Sequence, residues 1–133
     1  MPSPIQNKNI VLGVTGSIAC YKAADLASKL VQSGALVDTI LTEAATEFVS
    51  DLTFKSLTHR EVYTSLYSQD SNLSINHVAL AESADLIIVA PATANTIAKI
   101  ANGISNDVLT TTILATTAPI IIAPAMDLSL IHI

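Results

Sequence analysis

The sequence is poor in residues that mark several protein classes, and each shortage excludes something. It contains one cysteine, Cys20, which excludes an internal disulfide and a cysteine-rich metal site. Six lysines and arginines stand against eleven acidic residues and form no cluster, which argues against nucleic-acid binding. The longest apolar runs, 86–91 and 118–126, are well short of the roughly 20 residues that span a bilayer. The sequence therefore indicates neither a membrane-spanning helix nor a nucleic-acid-binding protein.

Charged and aromatic residues are also scarce, at 13% and 4%, whereas 50% of the 133 residues are hydrophobic. The apolar excess consists of alanine, isoleucine, leucine and valine, which is typical of buried parallel strands covered by helices. This apolar share argues against disorder, and the scarcity of charge indicates that other subunits cover part of the surface. Residues 1–8 are polar and lack a signal-peptide core, so we expect a cytoplasmic protein.

Strand-like apolar runs alternate with segments of helical spacing along the whole chain. This alternation predicts one α/β domain over residues 1–133, a Rossmann-like, three-layer, doubly wound parallel sheet. The predicted strands are Asn9–Val14, Leu36–Leu41, 86–90 and 120–123. The predicted helices are 18–33, 43–49, 52–58, 95–102 and 107–115, while 65–76 is predicted as a loop and 77–84 as a short helical or irregular segment.

Unusual loops follow three of the predicted strands, at 15–17, 91–96 and 124–127. Since ligands of such sheets bind at the carboxyl ends of the strands, we expect the three loops to converge on one site. The last of them has an ordinary alternative, a simple turn at a strand end. The pattern predicts a binding site without identifying its ligand.

Two of these loops carry groups suited to a phosphorylated, heteroaromatic ligand. Gly16 lets the backbone approach a ligand closely, and Ser17 offers a hydroxyl at a helix N-terminus, which favours phosphate. Thr93, Asn95 and Thr96 supply donors and acceptors for a planar ring. Both loops have a structural alternative, in which Ser17 caps one helix and Asn95 or Thr96 caps the other. The sequence has neither the three-glycine dinucleotide fingerprint nor a phosphate loop.

Among the titratable residues, His77 stands at the junction of a polar and an apolar segment, where it could act as a base near neutral pH. Its alternative is a structural or surface histidine. His59, Lys22 and Lys99 are predicted as ordinary solvated residues, and Cys20 as a buried structural thiol. The acidic residues are scattered, so no metal site is predicted.

Four segments, read together, resemble the family of flavin-dependent cysteine decarboxylases. They are VLGVTGSIACYK at 11–22, HVAL at 77–80 with AD at 84–85, APATANT at 90–96 with KIANG at 99–103, and APAM at 123–126. The resemblance covers about residues 8–127 in the right order. It is greatest to the members that decarboxylate 4′-phosphopantothenoylcysteine in coenzyme A biosynthesis, often as the N-terminal half of a bifunctional protein.

The resemblance implies FMN as cofactor, oxidative decarboxylation of a small thiol-bearing substrate, and His77 as the catalytic base. It also implies a homotrimer, or an assembly of trimers, with the flavin at a subunit interface. The implied flavin-binding residues are Gly16 and Ser17 at the phosphate, Thr42 and Phe48 beside the flavin, Thr93, Ala94, Asn95 and Thr96 at the isoalloxazine, and Ala125 next to it.

The C-terminal part departs from the family pattern. Asp127 stands where the family has a substrate-binding asparagine, and an ionised carboxylate there would repel the substrate carboxylate. Leu130 replaces a methionine, and the sequence reaches Ile133 without the lid cysteine that protonates the intermediate. We therefore interpret 128–133 as a truncated or non-native tail, and expect this chain to be catalytically incomplete.

Two alternatives remain open, a non-catalytic FMN-binding or regulatory flavoprotein and a flavin prenyltransferase. The first is favoured by Asp127 and the missing cysteine; the second shares the fold and a Gly-Ser loop but lacks the His77 and 124–126 motifs. A nicotinamide dehydrogenase is disfavoured, because Thr42 replaces the acidic residue expected after the second strand.

Overall fold

A computed structural model of the chain describes residues 3–64 and 71–125. Within them a five-stranded sheet is flanked by helices. The strands are β1 Asn9–Val14, β2 Leu36–Leu41, β3 Val62–Tyr63, β4 Leu86–Ala92 and β5 Ile120–Pro124. The helices are α1 Cys20–Gln32, α2 Asp51–Thr58, α3 Ser71–Ser83, α4 Ala94–Ala101 and α5 Val108–Ala115, with a short 3-10 helix over Ala44–Glu47.

All strand pairs are parallel, and the strand order is β3-β2-β1-β4-β5. Val11 in the central strand β1 pairs with Asp38 on one side and Ile87 on the other. The chain therefore winds outward in both directions from β1, which makes the junction between β1 and β4 the topological switch point. The predicted doubly wound parallel sheet is confirmed.

The two faces of the sheet bury separate cores because successive side chains of a strand point to opposite sides. On one face, Leu12 of β1 packs with Phe54 of α2 and with the small residues of α1. On the other face, Val11 packs with Leu80 of α3 and Leu109 of α5. The sheet thus lies between two helical layers, as a three-layer sandwich requires.

Cys20, at the first turn of α1, is completely buried, as predicted. Its thiol donates a hydrogen bond to the carbonyl of Thr15, 3.0 Å away. Burial raises the pKa of the Cys20 thiol, with backbone hydrogen bonds opposing the rise. The residue therefore behaves as a neutral core side chain.

Several predicted boundaries were wrong. Strand β4 does not end before Pro91 but continues to Ala92, because Ala92 pairs with Pro124 of β5. Helix α3 starts at residue 71, inside the predicted loop 65–76. The predicted helix 43–49 is a single 3-10 turn, and the two-residue strand β3 was not predicted.

Strand β5 is an edge of the described sheet, and its isoleucines are exposed: Ile120 to 37%, Ile121 to 52% and Ile122 to 38%. Among the described helices, none has both the length and the apolar character needed to cross a membrane. Asp127, Leu130 and the segment 128–133 lie outside the described residues.

Candidate functional site

A cavity of about 550 Å³ lies at the carboxyl end of the sheet. Gly16 follows β1, Thr42 follows β2 and Thr93 follows β4, so each of three strand ends contributes to its wall. The described residues that line it are Gly16, Thr42, Glu43, Ala44, Glu47, Thr93, Asn95, Thr96, Lys99, Asn106 and Asp107. Its volume falls within the range of small-molecule and cofactor sites, roughly 300–1,000 Å³.

The loops after β1 and β4 are tied together by one buried side chain, Thr15. Its hydroxyl donates to the carbonyl of Pro91 and accepts a hydrogen bond from the N–H of Thr93, 3.0 Å away. The third loop joins them through the N–H of Ala125, which donates to the carbonyl of Ala92 at 3.0 Å. The loops after β1 and β4 converge on this cavity, as expected. Residues 124–125 of the third loop do not line it, and 126–127 lie outside the described residues.

One side of the cavity is the N-terminus of α4. Thr93 is the N-cap residue, and its hydroxyl oxygen accepts from the N–H of Thr96 at 3.3 Å. The structural alternative, in which Asn95 or Thr96 caps this helix, is therefore wrong, because the helix begins at Ala94, one residue earlier than expected. The side chain of Asn95, the second residue of α4, is therefore not engaged in capping; it is exposed and lines the cavity.

Gly16 and the 3-10 turn after β2 form another part of the wall. A Cβ atom placed on Gly16 would lie 2.5 Å from the Cβ of Ala44, so any other residue would push these two segments apart. The hydroxyl of Thr42 accepts from the N–H of Ala45 at 3.3 Å, which fixes the start of the turn. Glycine is required here by close approach.

Charged residues that the sequence reasoning missed complete the wall. Asp107 caps α5, its Oδ1 accepting from the N–H of Thr110 at 2.7 Å, while its Oδ2 lies 3.9 Å from Nζ of Lys99. The prediction of Lys99 as an ordinary solvated residue was wrong, since its side chain is largely covered. Of the lining residues, Lys99 is the one cation, against Asp107, Glu43 and Glu47. The spacing of Asp107 and Thr110, which form a capping box, is the sequence signal that could have identified Asp107 as the start of α5.

Other predicted site residues lie outside this wall. The Ser17 hydroxyl accepts from the N–H of Ala19 at 3.2 Å, and Phe48, just after the 3-10 turn, is 53% exposed. Ala94 is exposed at the start of α4. Ala125 lines a second, smaller cavity of about 280 Å³ beside α1, together with Lys22 and Pro91.

His77 also lies outside the cavity wall, in the middle of α3. One turn further along this helix, Leu80 and Ala81 are buried against the rest of the fold. Nδ1 of His77 is buried and has no hydrogen-bond partner among the described residues. Asp127, the predicted substrate-binding residue, is not among the described residues.

Comparison with known proteins agrees with this arrangement. The chain matches the family described as Flavoprotein over residues 1–132. It is 57% identical over 123 residues to the coenzyme A biosynthesis bifunctional protein CoaBC of Bacillus subtilis (strain 168), covering 92% of this chain and 30% of that protein. It is 43% identical over 122 residues to the probable phosphopantothenoylcysteine decarboxylase of Streptococcus mutans, covering 90% of this chain and 68% of that one.

Among solved structures, that of the FMN-dependent cysteine decarboxylase SpaF superposes with a TM-score of 0.82 at 29% sequence identity, covering 94% of this chain and 72% of that one. The chain spans about 30% of the length of the bifunctional relatives that it matches. The resemblance seen in the sequence motifs is confirmed. On a match that extends over nearly the whole sequence, and a relative at 57% identity, the chain belongs to the flavoprotein family.

Proposed function

We propose that this chain binds FMN and catalyses the decarboxylation of 4′-phosphopantothenoylcysteine to 4′-phosphopantetheine in coenzyme A biosynthesis, in the cytoplasm. The observation that carries the proposal is the cavity at the switch point, where the motif-bearing loops after β1 and β4 meet. The relatives named for coenzyme A biosynthesis and for phosphopantothenoylcysteine decarboxylation support the choice of substrate.

The residues of the cavity fit FMN. Gly16 leaves the space that a Cβ atom would fill, so a ligand can approach the backbone there. The N-terminus of α4 presents backbone N–H groups to the cavity, beside the amide of Asn95 and the hydroxyl of Thr96. A planar ring with carbonyl oxygens and ring nitrogens needs this mixture of donors and acceptors.

The parts of the cofactor are assigned to different loops. Gly16 and Ser17 would hold the phosphate, and Thr42 and Phe48 would lie beside the flavin. The isoalloxazine would be held by Thr93, Ala94, Asn95 and Thr96, with Ala125 adjacent.

The chemistry requires an electron acceptor, because loss of CO2 from a cysteine carboxylate leaves a carbanion that the substrate alone does not stabilise. Bound FMN supplies reversible two-electron redox chemistry, and the protein supplies binding, orientation and proton transfer. His77 would take up the proton that the substrate releases, since an imidazole changes charge near neutral pH. Asp127 is proposed as a substrate-binding residue.

A homotrimer, or an assembly of trimers, is proposed because one copy of the described chain leaves the site incomplete. His77 lies outside the wall that would hold the cofactor, and its Nδ1 has no described partner within one copy. Large apolar side chains are also left exposed, among them Ile18, Tyr21 and Phe48 near the cavity-forming loops and the isoleucines of β5. Association of copies would cover these side chains and bring His77 to a neighbouring cavity.

The test uses the full-length protein, purified and supplied with FMN and 4′-phosphopantothenoylcysteine. We expect a flavin absorption spectrum, release of CO2 and a product of the mass of 4′-phosphopantetheine. His77→Asn should lower kcat by roughly 100-fold or more, as expected for loss of a general base. The matched control is His59→Asn, because His59 is exposed on the far end of α2 and should leave kcat unchanged.

The possible results separate the candidates. Flavin binding without CO2 release would refute the decarboxylase and favour a non-catalytic FMN-binding protein. Formation of prenylated FMN from a prenyl phosphate would point to the prenyltransferase. Absence of flavin binding would refute all three.

A further inference from the structure

The regular pairing between β1 and β4 ends before the cavity begins. The last paired residues are Gly13 of β1 and Val89 of β4. Beyond them, β4 also shifts its register against β5 between Val89 and Ala92. Residues 90–92 of β4, which lead into the cavity, are therefore not held against β1 by regular strand pairing.

Thr15 takes over the pairing at this point. Its N–H and its hydroxyl both donate to the carbonyl of Pro91, and the same hydroxyl accepts from the N–H of Thr93. The side chain is 1% exposed, so water does not substitute for these bonds. One hydroxyl therefore acts as donor and acceptor between the two loops.

The two loops joined by this hydroxyl both contribute to the cavity wall. Gly16 is the next residue after Thr15, and Thr93 is the N-cap of α4; both line the cavity. The position of these two loops relative to each other thus depends on the bonds of Thr15, which does not itself line the cavity.

We propose that Thr15 is a positioning residue, whose hydroxyl fixes the Gly16 and Thr93 loops relative to each other and thereby sets the affinity for FMN. The inference rests on the proposed FMN site. Thr15, the first residue after β1, thus has a role distinct from that of Gly16, which lines the cavity. Valine has the same shape as threonine, but its side chain neither donates nor accepts a hydrogen bond. Thr15→Val therefore removes the two hydrogen bonds of the hydroxyl and leaves the backbone N–H of residue 15 in place.

The experiment compares Thr15→Val with Thr15→Ser in the full-length protein, by titrating FMN into the apoprotein and following flavin fluorescence. Thr15→Val should weaken FMN binding by roughly tenfold, equivalent to about 1.4 kcal/mol, and Thr15→Ser should restore it to within about threefold of the parent. The control is Thr112→Val, which removes a buried hydroxyl bonded to Val108 in α5, away from the cavity wall. It should lower stability without changing FMN affinity.

Amide hydrogen exchange supplies a readout independent of FMN. Thr15→Val should speed the exchange of the Thr93 amide and of the first turn of α4 in the apoprotein, whereas Thr112→Val should not. If the parent protein binds no FMN, the proposed function fails and exchange alone decides whether the tie exists. Unchanged exchange at Thr93, or equal FMN affinities of Thr15→Val and the parent, would overturn the inference.

A reciprocal pair of variants covers the case in which Thr15→Val does not fold. Thr93 has φ −77° and ψ 160°, a conformation that proline adopts readily. Thr93→Pro removes both the N–H that Thr15 accepts and the capping hydroxyl, whereas Thr93→Ala removes only the cap. Thr93→Pro should therefore bind FMN at least about threefold more weakly than Thr93→Ala, and equal affinities would contradict the role of Thr15.

Discussion

The close packing of β1 against α5 gives a stability prediction with a defined partner. Gly13 lies in the middle of the sheet, and a Cβ atom placed there would overlap Cδ1 of Leu109 and lie 3.1 Å from its Cδ2. Leu109 is completely buried, so its side chain has no free space into which it can turn. We expect Gly13→Ala to be destabilising even though the backbone of Gly13 suits alanine.

The magnitude follows from two opposing effects. Forcing a methyl group into a packed core costs about 1–3 kcal/mol, and alanine recovers about 0.5–1 kcal/mol by restricting the unfolded chain. The net loss should be about 1–2 kcal/mol. For a chain of 133 residues each kcal/mol corresponds to roughly 3–5 °C in melting temperature.

The assay is urea unfolding of a double-mutant cycle with Leu109→Ala. That single variant should cost about 2–5 kcal/mol because it leaves a cavity, but in the double variant the methyl of residue 13 occupies part of that space. The double variant should therefore be about 1–2 kcal/mol more stable than the sum of the singles.

Gly103→Ala is the matched control. A Cβ atom there meets nothing within 4 Å, but φ is +68°, so the variant should cost about 1 kcal/mol through backbone strain alone. That cost should add to the cost of Leu109→Ala. A neutral Gly13→Ala, or strict additivity in the Gly13 cycle, would refute the packing argument.

Three further predictions concern single side chains. The hydroxyl of Thr39 is buried without a described partner, so Thr39→Val should be neutral or stabilise by up to about 1 kcal/mol in urea unfolding, whereas Thr112→Val should cost about 1 kcal/mol; the reverse order would contradict this. Lys99 lines the proposed FMN cavity and Lys22 does not. Lys99→Gln should weaken FMN binding about threefold or more at low salt, whereas Lys22→Gln should not. Equal effects of the two variants would contradict a role of Lys99 in FMN binding. Burial raises the pKa of the Cys20 thiol above its value in the unfolded chain. The thiol's contribution to stability is therefore complete below the unfolded pKa and is lost as pH rises toward the folded pKa. Urea midpoints between about pH 8 and 10 should fall less in Cys20→Ala than in the parent, and equal slopes of midpoint against pH would contradict this prediction.

The parts of the fold that the sequence predicted are those with a strong local signal. Strands β1 and β2 were predicted to the residue, because each is a short, largely apolar segment bounded by polar or turn-forming residues. Strand β3 was missed because two residues establish no periodicity, and it exists only through pairing with β2. The N-terminal half of α3 was missed because its polar composition resembles a loop.

The site was predicted in the same uneven way. The loops around Gly16 and Thr93 carry recognisable motifs, and both line the cavity. Lys99 and Asp107 were not identified, because an isolated lysine and an isolated aspartate are usually solvated, and only the packing of α4 beside α5 places them on the cavity wall. The bonds of Thr15 join residues 78 positions apart, which sequence spacing does not reveal.

The exposed isoleucines of β5 have a consequence for the aggregation of the protein. Within the described sheet, β5 is an edge strand rich in β-branched residues, with no charged residue or bulge along Ile120–Ile122, and such an edge is a template for pairing with strands of other molecules. If copies associate through this edge, as proposed, their assembly would compete with aggregation, and the outcome would depend on concentration. Ile121→Lys should therefore give a more soluble protein that associates less readily, because a charged side chain on this strand would hinder both aggregation and the proposed association of copies.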